Sequence, residues 1–178
     1  MNNGKTTRAR LVFLAQASII AALYAGLTLA LPAYGNLQFR VAEALTLLPV
    51  LTPAAIPGLA IGCLIANLGS PYGLIDIVFG TLASLLAALC TYWLRNIQLK
   101  KLPLLSALMP PLFNGAIVGA IIALMVNDAL DFGAFTLANM LLFGGQVLLS
   151  ELAICCALGL PLAVLLRKLP LLKIEMRI

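Results

Sequence analysis

The 178-residue chain has no histidine. That absence removes imidazole metal ligands, serine–histidine nucleophile activation and histidine-based pH switching. Charge is also scarce: 10% of residues are charged, against about 25% in a soluble domain. No polar stretch is long enough to fold alone, so no appended soluble domain is expected. The phosphate-binding pattern G-x-x-x-x-G-K-[ST] is absent, and with it any nucleotide-binding domain of that type. If the chain concentrates a ligand using ATP, a partner supplies the ATPase. The four cysteines, Cys63, Cys90, Cys155 and Cys156, all fall in apolar runs. They read as small buried hydrophobes rather than as metal ligands or disulfides. With no histidine and no paired nucleophile and base, an intramembrane enzyme is the weakest functional reading.

What is present is hydrocarbon. Hydrophobic residues make up 63% of the chain and the mean hydropathy is +1.11. The composition predicts an all-α polytopic membrane protein, with residues 1–178 as one domain in the lipid bilayer. Met1–Arg10 is basic like the start of a signal peptide. The apolar run behind it is too long for a signal core and ends in no small-residue cleavage site, so a retained first span is expected.

Six spans are expected: Leu11–Leu31, stopped by Pro32; Val41–Thr52, ended by Pro53; Ala54–Leu68; Leu74–Leu94; Leu104–Val126; and Ala134–Leu166, with bends at Gly144-Gly145 and Pro161. Crossing hydrocarbon takes about 20 residues. The second and third spans are short, either tilted or forming a helical hairpin that enters a polar cavity.

The basic residues orient the chain. Lys5, Arg8 and Arg10 precede the first span; Arg95, Lys100 and Lys101 follow the fourth; Arg167, Lys168, Lys173 and Arg177 follow the sixth. With both termini cytoplasmic, ten of the eleven basic residues lie inside, as the positive-inside rule requires. Asp128 and Asp131 then fall in an outside loop. This pattern accounts for the net charge of +5 without invoking nucleic acid as a partner.

Against this background Arg40, Glu43, Asn67, Asp76, Asn114 and Glu151 stand out, each interrupting an apolar run. A charge in the bilayer costs about 3 kcal/mol or more on insertion scales. Leu or Ala would avoid that cost, so these side chains are expected to face a polar cavity open to the outside, joined by Gln146. Each has a plainer reading. Arg40 and Glu43 are three apart and could form a local ion pair. Asp76 and Asn67 could cap helix ends. Asn114 follows Pro110-Pro111 and could satisfy the carbonyls that the prolines free. Glu151 has no basic neighbour in its span and is the hardest to explain structurally.

Tyr34 and Trp93 fit an interfacial aromatic belt, while Phe39 or Tyr72 could stack on a planar ligand. Small residues recur at Ala17, Ala21 and Ala25, and at Ser18, Ala22 and Gly26. Such a face serves either bundle packing or docking to a partner membrane protein. Glu43, Asp76 and Glu151 against Arg40 leave two uncompensated negative charges. Either low dielectric keeps some of these carboxyls protonated, or a small, polar, donor-rich cation balances them, because carboxylates accept paired N–H groups and Asn or Gln reach ring acceptors.

The stretch Gly35-Asn36-Leu37-Gln38-Phe39-Arg40-Val41-Ala42-Glu43-Ala44-Leu45-Thr46-Leu47-Leu48-Pro49 resembles the signature of the QueT family. Thr52-Pro53-Ala54-Ala55-Ile56-Pro57-Gly58-Leu59, Gly62-Cys63-Leu64-Ile65-Ala66-Asn67 and Asp76-Ile77-Val78-Phe79-Gly80-Thr81 continue it. The resemblance implies a substrate-binding (S) component of an energy-coupling factor (ECF) transporter in the bacterial cell membrane. It implies a deazaguanine substrate, the queuosine precursor 7-aminomethyl-7-deazaguanine. It also implies a transmembrane coupling protein and two cytoplasmic ATPases as partners, with no cofactor in this chain and ATP used by the partners. In that family small residues of the first span meet the coupling protein, a role expected here of Ala17, Ala21 and Ala25. The residue roles are physical assignments: Glu151 or Glu43 for the base donors, Asp76 for the aminomethyl cation, Asn67, Asn114 and Gln146 for remaining hydrogen bonds, Phe39 or Tyr72 for stacking. The rivals are an S component for another vitamin and an autonomous proton- or cation-coupled carrier.

Overall fold

Away from water, a backbone must satisfy its own polar groups, and a helix does so within one segment. The computed structural model is accordingly helical through most of the residues it describes, which are 3–31, 40–99, 102–126, 129–130, 132–133 and 135–168. Helix α1 runs Asn3–Ala30. It starts earlier than the apolar run does, because nothing in the basic segment breaks it. It ends two residues short of Pro32, whose ring disfavours helical geometry in the residue before it.

Val41–Val50 forms a 3-10 helix, and nine of its ten residues are buried. Runs of this geometry beyond three or four residues are uncommon, so packing on all sides must hold it. Ten residues at about 2 Å each reach roughly 20 Å, short of the about 30 Å of hydrocarbon. Helix α2, Ala55–Asn67, is similarly short with thirteen residues. Thr52 makes the turn between them: its Oγ1 accepts from the Ala54 amide at 3.3 Å and donates to Gln16 Oε1 of α1 at 2.8 Å.

Helix α3 spans Gly73–Asn96, α4 spans Leu104–Leu124 and α5 spans Leu137–Leu166. With Thr6–Ala30 of α1, these are the four helices long and apolar enough to cross a membrane among the described residues. Wider π turns interrupt α3 at Asp76–Gly80 and α5 at Cys155–Gly159. At the two expected bends, α-helix continues through Gly144-Gly145 to Ile154, and after the π turn it resumes at Leu160 with Pro161 in its first turn. Thr136 caps α5, its hydroxyl accepting from the Asn139 amide at 3.1 Å. A two-residue antiparallel ladder, β1 (Met125–Val126) with β2 (Ala129–Leu130), follows α4. Asp128 and Asp131 lie outside the described residues.

Close contacts use missing side chains. On α2, a Cβ at Gly58 would sit 2.8 Å from the Ala17 carbonyl, and one at Gly62 would sit 2.8 Å from the Ala21 carbonyl. On α4 and α5, a Cβ at Gly115 would meet the Gly144 carbonyl at 3.0 Å. Small residues at four-residue spacing let backbones meet where lipid supplies no hydrophobic drive. The outer faces are apolar: Leu14, Ile19 and Leu23 of α1, Ile61 and Leu64 of α2, and Leu141 and Leu149 of α5 are exposed. An apolar surface of this extent belongs against lipid.

Of the two uses expected of the Ala17, Ala21 and Ala25 face, bundle packing is the one seen: all three are buried, and Ala17 and Ala21 meet α2 at Gly58 and Gly62. The sister stripe Ser18, Ala22 and Gly26 is the exposed one, and nothing stands within 4 Å of a Cβ built on Gly26.

Candidate functional site

The 3-10 helix lies against α1, α3 and the π turn of α5. Its N-terminal end brings the polar side chains together. Arg40, Glu43, Asn67, Asp76, Asn114 and Glu151 are each 5% exposed or less. Phe39 lies outside the described residues.

Asp76 and Arg40 form the first group. The Arg40 guanidinium is 3.7 Å from Asp76 Oδ2, and the Ser70 hydroxyl donates to the same oxygen at 2.6 Å. Ser70 Oγ also accepts from the Tyr72 amide at 3.2 Å, which shapes the turn into α3. Asn67 reaches across from the end of α2 and donates through Nδ2 to the Asp76 carbonyl at 3.0 Å. A side chain inserted at a helical carbonyl is one of the identifiable causes of a disturbed ladder, and here it marks the start of the π turn. Gly80 closes that turn, where a Cβ would fall 2.5 Å from Asp76 Oδ1 and 2.8 Å from Asn67 Nδ2. Only glycine leaves these two polar groups their place.

Glu43 forms the second group, and its partner is Tyr24, a residue the sequence reading did not single out. The fully buried Tyr24 hydroxyl donates to Glu43 Oε1 at 2.5 Å. Thr46 Oγ1 donates back to the Glu43 carbonyl at 2.5 Å, and Cys155 Sγ lies 3.7 Å from that carbonyl. The usable signal was position: Tyr24 sits inside the first apolar run, away from the interfaces where tyrosine normally anchors.

Asn114 and Glu151 form the third. Asn114 Nδ2 donates to both carboxylate oxygens of Glu151, at 2.9 and 3.0 Å. One carbonyl that the prolines free is met by another side chain. Pro110 has no N–H to give the Ser106 carbonyl four residues back, and Thr91 Oγ1 of α3 donates to that carbonyl at 3.3 Å instead. Asn114 is not needed at the Ser106 carbonyl, and its NH2 is turned to Glu151. The helix that carries Glu151 meets the 3-10 helix one turn on, where Cys155 Sγ lies 3.7 Å from both the Glu43 carbonyl and Thr46 Oγ1. Tyr72 packs with Phe143 against Val118, Ile122 and Val147. Gln146 is half-buried, in the turn before Val147.

Among the described residues, Glu43 Oε2, Asn67 Oδ1, Asp76 Oδ1, Asn114 Oδ1 and Gln146 Oε1 are buried with no hydrogen-bond partner. All five are acceptors. The amide orientations of Asn67 and Asn114 follow from their partners, a carbonyl and a carboxylate, which only the NH2 end can meet. Unmatched buried acceptors cost about 1–3 kcal/mol each, so a ligand bringing N–H donors would find them ready. Charge points the same way. Arg40 answers Asp76, while the bonds seen at Glu43 and Glu151 come from a phenol and an amide, which are neutral.

A family model described as QueT transporter matches residues 14–168. The match contains all the groups above and extends the resemblance over most of the chain. No curated protein and no solved structure matches the chain.

Proposed function

The chain belongs to the QueT transporter family, and on that premise we propose that it is the membrane-embedded S component of an ECF uptake system. In this reading it binds 7-aminomethyl-7-deazaguanine from outside the cell membrane. Delivery into the cytoplasm uses a transmembrane coupling protein and two cytoplasmic ATPases that consume the ATP, with no cofactor in this chain. Residues 1–178 act as one domain with six crossings and both termini cytoplasmic.

The observation that carries the ligand reading is the set of buried acceptors without a hydrogen-bond partner at Glu43, Asn67, Asp76 and Asn114, gathered around the single buried cation Arg40 among the described residues. A deazaguanine with a protonated aminomethyl arm is rich in N–H donors and positively charged. The geometry refines the roles. Asp76 already has its ion pair with Arg40, so the cation pairs with Glu43 or Glu151, whose side-chain hydrogen bonds come from a phenol and an amide. Glu151 has both oxygens engaged by Asn114, whereas Glu43 keeps Oε2 for the ligand. Asn67, Asn114 and Gln146 offer amide oxygens, and Tyr72 or Phe39 supplies the ring face. The coupling protein meets α1 through Ser18, Ala22 and Gly26, the small stripe that remains exposed.

Calorimetry on the purified chain in detergent tests this, with 7-aminomethyl-7-deazaguanine against guanine and riboflavin. Tight binding of the first alone is the expected result. A folded sample that ignores it and takes riboflavin would reassign the chain to another vitamin. Uptake in liposomes without ATPases, driven by a proton gradient, would make it an autonomous carrier.

A further inference from the structure

Glu43 and Asp76 are each held through one oxygen by a hydroxyl, but Asp76 also has the Arg40 guanidinium at 3.7 Å, whereas the side-chain bond seen at Glu43 comes from a neutral phenol. Tyr24 takes Oε1 and leaves Oε2 buried and unmatched among the described residues. The carboxylate is thus fixed in rotation while one oxygen stays open. Its backbone is fixed as well, because the Thr46 hydroxyl donates to the Glu43 carbonyl at 2.5 Å. Tyr24 itself is seated by two features. A Cβ on Gly62 of α2 would lie 2.9 Å from Tyr24 Cβ, so the missing side chain makes room for the tyrosine. The Thr28 hydroxyl donates to the Tyr24 carbonyl at 2.8 Å one turn on.

We propose that Tyr24 is a positioning residue of the ligand site, holding Glu43 by one oxygen so that the other presents a single acceptor to an N–H donor of the ligand. This rests on the S-component reading and adds a residue and a role to it. The physical reason for such a device is pre-organisation. A carboxylate that must be oriented on binding loses part of the interaction to ordering, and one already clamped does not. A phenol suits the task because it donates without adding charge. A lysine or arginine in its place would neutralise Glu43 and remove the attraction for a cationic ligand.

The test is a cycle of Tyr24→Phe, Glu43→Gln and the double variant, titrated with 7-aminomethyl-7-deazaguanine by calorimetry on the full chain. Tyr24→Phe removes one oxygen and keeps the ring in its seat. If Tyr24 positions Glu43, affinity falls roughly tenfold at unchanged stoichiometry, and the loss vanishes in the Glu43→Gln background. If Tyr24 serves the fold alone, stoichiometry falls as protein unfolds while the affinity of the remaining sites is unchanged, and the assignment is overturned. A second measurement needs no ligand. The infrared carboxyl band of Glu43, identified by its loss in Glu43→Gln, must shift in Tyr24→Phe. An unmoved band overturns the Tyr24 assignment whatever the protein binds. Absence of deazaguanine binding by the wild-type chain, with the band shifted as expected, overturns the ligand reading instead.

Discussion

At the scale of single residues, the buried polar groups divide into those that hold and those that are held. Gly80 shows how little room the arrangement leaves. A methyl group there would stand 2.5 Å from Asp76 Oδ1, and α3 cannot retreat without dragging its π turn. Gly80→Ala should therefore lower the apo melting temperature in detergent, at a cost of about 1–3 kcal/mol as for other overpacked sites. Ligand affinity should fall with it; unchanged melting and unchanged binding would show that Asp76 is free to move. Glu151→Gln poses a different problem. One oxygen becomes an NH2 facing the Asn114 NH2, so one of two hydrogen bonds is lost, worth about 1 kcal/mol between membrane helices. Stability should drop by that order in thermal unfolding, and the ligand should bind more weakly if Glu151 supplies negative charge. The six charged and amide residues were legible because each breaks a hydrocarbon run at a cost. Their pairing was not. Asn114 and Glu151 are 37 residues apart, and nothing in either span names the other. Tyr24, Ser70 and Thr91 escaped notice because hydroxyls are cheap in a helix and carry no composition signal.

Among elements, the long helices were readable from length and hydropathy, and α3, α4 and α5 begin and end within a few residues of expectation. The 3-10 helix was not readable as such. Val41–Val50 has an ordinary apolar composition, and its geometry follows from burial on every side, which belongs to its neighbours. The π turns are likewise written by partners, one by Asn67 reaching the Asp76 carbonyl. The two small stripes of α1 could not be told apart in sequence, since both have small residues at four-residue spacing. Packing distinguishes them through Gly58 and Gly62. That difference yields opposed expectations for neighbouring positions. Ala21→Leu should destabilise the isolated chain, because the Ala21 backbone already touches Gly62. Ala22→Trp should leave melting and ligand binding unchanged and, on the proposed S-component reading, should abolish co-purification with a coupling protein and ATP-driven uptake. If both variants behave alike, α1 docks through some other face.

For the whole molecule, a tilted pair and a re-entrant hairpin differ at one turn. Both arrangements leave the termini on the same side and place every other loop identically, so the positive-inside count cannot separate them. They differ only in where Leu51–Ala54 resides. Thr52 bonds to Gln16, which is five residues beyond Leu11, the expected inner edge of α1, or roughly 8 Å deep at 1.5 Å per residue. The 3-10 helix therefore travels most of the way across from the outer side before the chain turns back into α2. A turn that near the inner surface is reached by water from the cytoplasm far more readily than from outside. With Cys90 and Cys156 replaced by serine, a cysteine introduced as Pro53→Cys should react with a membrane-impermeant thiol reagent in inside-out vesicles and stay silent in intact cells. Labelling from outside alone would place the turn in an outward-facing cavity, and the chain would then cross the membrane four times rather than six, with the Arg40–Glu43 segment hanging into the bundle as a plug.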